Sequence, residues 1–141
     1  MNQKTSPRYI KRAFTGVVAA FGIGFVVIVV CNTVWAVVQG FTILDLWGDD
    51  SLWQILLISL PFLALALGGV VARLPWIAGL CLTAAFWGFW LFQITRPFKG
   101  GGADIGLALL MMFSPVPIIA VCVIAARISA KRQTGEKPDG S

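Results

Sequence analysis

The residues in this chain that could do chemistry are few. The most distinctive are Ser59-Leu60-Pro61 and Ser114-Pro115-Val116-Pro117, serines set beside prolines inside long apolar runs. A serine becomes a nucleophile when a neighbouring base takes its proton, and neither run contains a histidine, a lysine or an acid to do so. The effect of the prolines on the backbone is more definite. Proline has no N–H, so in a helix Pro61 leaves the carbonyl of Leu57 without its donor, and Pro115 and Pro117 do the same to Met111 and Phe113. Ser59 and Ser114 are close enough in sequence to help satisfy this disturbed backbone. Ser59, Pro61, Phe113, Ser114, Pro115 and Pro117 therefore form the candidate site. It reads either as two kinks that shape a helical bundle or as two breaks that face each other around a small midplane pocket for a ligand.

Other chemistry is scarcer still. The clustered carboxylates Asp45, Asp49 and Asp50 read as an acidic loop, with no paired base or histidine to make them an acid–base site. Gly100 to Gly102 resemble a phosphate loop only superficially, because no Gly-Lys-Ser/Thr follows. There is no histidine, and Cys31, Cys81 and Cys122 stand singly in apolar runs as small packing residues. No cofactor, no metal and no enzymatic activity are expected.

The elements that must position these residues follow from the composition. Hydrophobic residues make up 58% of the chain and charged ones 12%, a balance suited to lipid as the solvent. Residues 13–44, 51–72, 74–95 and 105–126 contain no Asp, Glu, Lys or Arg. Each run is long enough for a hydrocarbon core of about 30 Å, which takes roughly 20 helical residues. A barrel would need alternating segments of about ten residues, and these runs do not alternate. The expected fold is an all-α membrane protein with four transmembrane helices, at about 13–38, 51–72, 75–95 and 105–127. These lie within a transmembrane domain over 13–128, between a basic arm at 1–12 and a disordered tail at 129–141.

Charge sets the orientation. Lys4, Arg8, Lys11, Arg12, Arg73, Arg127, Lys131, Arg132 and Lys137 would share one side, leaving only Arg96 and Lys99 opposite. Nine bases against two put both termini in the cytoplasm of a multi-pass cell-membrane protein by the positive-inside rule. The net charge of +5 thus comes from topology and calls for no nucleic acid. The first apolar run is longer than a signal-peptide core of about 7–15 residues, so it reads as a retained helix.

An offset of 54 residues brings Asp50 onto Asp104, Pro61 onto Pro115, Arg73 onto Arg127, Gln39 onto Gln93 and Gly48 onto Gly102. The halves are two tandem helical hairpins related by a parallel pseudo-repeat, or the similarity is convergence driven by capping and topology. In either case Asp50 and Asp104 are placed to cap helix N-termini, and Arg73 and Arg127 to anchor helix ends at lipid phosphates. Gly16, Ala20 and Gly24 recur every four residues as a close-packing face. That face is used either inside the bundle or as a homodimer seam. The functional reading is a non-catalytic membrane subunit, assembly factor or scaffold whose partners are the lipid bilayer and another membrane protein. The alternative is a small transporter, pore or binder of a lipid or other hydrophobic ligand at the midplane proline breaks.

Overall fold

The structure, a computed structural model, describes residues 7–42, 44, 47–96 and 105–135. These residues form five helices and no strand: α1 (Pro7–Gln39), α2 (Asp49–Leu67), α3 (Arg73–Ile94), α4 (Ile105–Phe113) and α5 (Pro115–Gly135). Four stretches, Tyr9–Gln39, Asp50–Leu67, Arg73–Ile94 and Ile105–Arg132, are long and apolar enough to cross a membrane. The fourth is interrupted at Ser114, between α4 and α5.

Helix ends differ from the uncharged runs for identifiable reasons. Helix α1 starts at Pro7, not at residue 13, so the second half of the basic arm belongs to it. Proline suits a first helical position, where its missing N–H is not needed, and the lysine and arginine that follow are good helix formers. At about 1.5 Å per residue the 33 residues of α1 run roughly 50 Å, well beyond a hydrocarbon core. The helix stops at Gly40, whose φ of 75° lets the amides of Gly40 and Phe41 return to the Ala36 carbonyl at 2.8 and 3.1 Å.

Helix α2 ends at Leu67, short of residue 72. Gly69 at φ 69° turns the chain so that its own amide reaches the Ala66 carbonyl and that of Val70 reaches Leu65. This pair of bonds is a Schellman motif, and it closes the helix before the charges resume. Two expected placements at helix ends also change. The N-cap of α2 is Gly48 with no side-chain capping bond, so Asp50 is inside the first turn and does not cap it. Arg73 opens α3 and does not close α2, whereas Arg127 lies well inside α5. The placement of Asp104 falls outside the described residues.

The packing starts from two antiparallel pairs, α1 with α2 and α3 with α5, and α2 also meets α3 and α5. In the first pair, Gly16 lies against Ala66 and Gly24 against Ser59 and Ile55, with Ala20 fully buried between them. The small-residue face of α1 is therefore occupied by α2 of the same chain. In the second pair, Gly79 meets Cys122, whose thiol donates to the Pro75 carbonyl at 3.5 Å. Phe62 of α2 reaches across to Gly79 and stacks on Trp76 at 5.9 Å. The core has two parts: Ile28, Cys31, Ile58 and Trp87 toward the Asp50 end, and Leu65, Ile118 and Cys122 toward the Arg73 end. Outside them the surface is apolar, with Phe14, Leu52, Trp53, Leu67 and Val71 all more than 60% exposed.

Candidate functional site

The proline breaks differ from each other. Helix α2 runs through Pro61 without interruption, and Pro61 is fully buried. Ser59 is also fully buried, but its hydroxyl donates to Ile55 at 2.7 Å and not to Leu57, the carbonyl that Pro61 deprives. A serine inside a helix reaches naturally to the residue four before it, which here is two positions short of the freed group. What Ser59 does is fit beneath α1: a Cβ on Gly24 would stand 2.5 Å from its Oγ and 2.7 Å from the Ile55 carbonyl.

At the second break the helix does stop. Pro115 cannot donate to Met111, and Ser114 takes over that duty with both of its donors: Oγ donates to the Met111 carbonyl at 2.8 Å and the amide at 3.3 Å. Ser114 and Pro115 are buried, Pro117 is half-buried, and Phe113 points outward at 62% exposure. The Phe113 carbonyl cannot receive its usual helical bond, because residue 117 is a proline.

The two breaks line different cavities. Pro61 borders a groove of about 400 Å³ between α2 and α5, floored by Leu65, Ile119 and Cys122, with Arg127 at its mouth. Ser114 borders a space of only about 10 Å³ beneath Phe86, Trp87, Trp90 and Met111. That volume holds about one water and no organic ligand. The candidate residues are therefore brought together in sequence pairs, Ser59 with Pro61 and Ser114 with Pro115, and not as one pocket.

Two polar groups in the core carried no signal in the apolar pattern beyond their four-residue spacing. Thr83 Oγ1 and Trp87 Nε1, one turn apart on α3, are buried and have no hydrogen-bond partner among the described residues. Trp87 packs with Trp90 at 5.4 Å between centroids and lies over the Ser114 break. The aromatic residues of α3 are divided between core and surface: Trp87 is in the core, Phe86 and Trp90 flank it, and Phe89 and Phe92 face outward. Arg96 lies 4.0 Å from the centre of the Phe92 ring, a cation over an aromatic face. All three cysteines are free, and among the described residues no three His, Cys, Asp or Glu side chains gather as a metal site.

The chain matches no model of a known protein family, no curated protein and no solved structure.

Proposed function

We propose that this chain is a non-catalytic subunit, assembly factor or scaffold of the cell membrane, crossing the bilayer four times with both termini in the cytoplasm. The observation that carries the reading is α4. It is nine residues long, wholly apolar, and none of its residues is buried. Ile105, Met112, Phe113 and Val116, on both sides of the Ser114 turn, are each more than half exposed. A short helix that the chain ends with a break, yet barely uses in its own core, fits a surface made for another membrane helix. The Phe113 carbonyl left by Pro117 adds a polar feature there, and in hydrocarbon such a group favours a partner that can donate to it. The half-to-half similarity is read as tandem duplication, with the second copy broken at Ser114 and the first continuous through Pro61.

A second reading, a small transporter, pore or binder of a hydrophobic molecule at the proline breaks, draws its support from the groove beside Pro61. One experiment separates the two. A photo-crosslinking residue is placed at Met112 or Val116, and the chain is purified from native membranes in mild detergent. The subunit reading expects one protein partner, in fixed ratio, crosslinked at these positions and not at Leu52 or Ile77. A lone chain or oligomer crosslinked only to lipid would sink it in favour of the second reading.

A further inference from the structure

We propose that the cleft between the first turns of α1 and the α2–α3 connection binds one anionic phospholipid. Lys11 and Arg12 take the phosphate, and the apolar floor takes the start of an acyl chain. The cleft measures about 430 Å³ and is lined at one end by the two bases and beyond them by Gly16, Ala19, Val71 and Trp76. Its shape is fixed by bonds within the fold. Trp76 Nε1 donates to the Val70 carbonyl at 3.0 Å, which holds the indole as a wall and uses up its one polar atom. Tyr9 closes the adjoining corner by donating to Leu67 at 2.7 Å, across the end of α2. Thr15 spends its hydroxyl hydrogen on the Lys11 carbonyl at 3.0 Å. The side-chain donors left to grip an anion are therefore those of the two bases, both exposed.

The charge at this end has one sign among the described residues. Arg73, Arg127, Lys131 and Arg132 lie at the same end of the helices, while the described acids, Asp49 and Asp50, begin α2 at the other end. A soluble anion would satisfy the bases and leave the floor bare, and a neutral lipid would cover the floor and leave the bases without a counter-charge. An anionic phospholipid does both. The inference rests on the membrane-spanning reading, in which this end of the bundle meets the headgroups.

The test uses the full chain, purified in neutral detergent, stripped of lipid, and titrated with phosphatidylglycerol or phosphatidylcholine. Bound lipid is read by native mass spectrometry and stability by thermal unfolding. Phosphatidylglycerol should stay bound and raise the unfolding midpoint, and phosphatidylcholine should do neither. Lys11→Gln with Arg12→Gln should weaken binding roughly 30-fold, the effect of two bases near a lipid phosphate. Ala19→Trp, which fills the floor at constant charge, should weaken it too. Arg73→Gln with Arg132→Gln changes the charge equally but lines no part of the cleft, and should leave binding as it was. Equal binding of the two lipids, an equal loss in both double variants, or full competition by inorganic phosphate would overturn the site. A chain that stays in solution without detergent would instead overturn the membrane reading on which it rests.

Discussion

At the scale of single residues, Ser114 and Ser59 separate what a sequence tells from what it leaves open. For Ser114 the role was legible: the proline directly after it names the carbonyl that loses its donor, and Ser114 is the residue placed to supply another. The bond to Met111 is the outcome. For Ser59 the same reasoning missed, because a helical hydroxyl bonds four residues back whatever proline follows, and because Gly24 on another helix, unknowable from local spacing, decides what surrounds it. The Met111 bond makes a prediction with internal control. Ser114→Ala removes the hydroxyl donor and should destabilise the protein by about 1 kcal/mol, the usual net worth of such a bond. In a Pro115→Ala background residue 115 regains an N–H for the same carbonyl, and the same change should cost much less. Thermal unfolding of the four variants in detergent gives the coupling directly. Equal costs in both backgrounds would mean that Ser114 does not stand in for the missing amide.

At the scale of elements, the uncharged runs located every long apolar helical stretch but misplaced several ends. Charge marks where a chain must leave an apolar environment, whereas a helix stops where its last carbonyls find donors, and at Gly68-Gly69 that happens before the next charge. The small-residue spacing on α1 announced a close contact without saying with what. The seam with α2 answers it, and it gives two neighbouring glycines opposite fates. A Cβ on Gly24 would meet Ser59 and Ile55 at 2.5 and 2.7 Å, while a Cβ on Gly22 would meet nothing within 4 Å. Gly24→Ala should therefore destabilise by about 1–3 kcal/mol, the range for overpacking a filled core. Gly22→Ala should be neutral or stabilising by up to about 1 kcal/mol, since alanine is the better helix former. Both are read from unfolding midpoints in the same detergent. Similar losses at the two positions would show that the α1–α2 seam does not run along Gly24.

At the scale of the whole molecule, the number of helical stretches long and apolar enough to cross a membrane followed from composition, but the arrangement did not, because nothing in four apolar runs of similar length says that α2 should touch α1, α3 and α5. The proposed orientation rests on a different quantity, the distribution of bases. The antiparallel pairs gather Lys11, Arg12, Arg73, Arg127, Lys131 and Arg132 at one end, with Asp49, Asp50 and Arg96 at the other. A biased distribution of Lys and Arg in short loops sets orientation during insertion, and acids contribute little. In a bacterial host, alkaline phosphatase inserted after Gly48 should accordingly be active outside the cytoplasm, and a fluorescent protein fused after Ser141 should fluoresce inside it. Arg73→Ala should leave both signals unchanged, because the basic end still holds a large excess over Arg96 and Lys99. Phosphatase activity from fusions at both positions would mean an even number of crossings between them, where the proposed topology has three. In that case one of the three stretches would not cross, and the one interrupted at Ser114, α4 with α5, would have to be read as lying along the membrane surface.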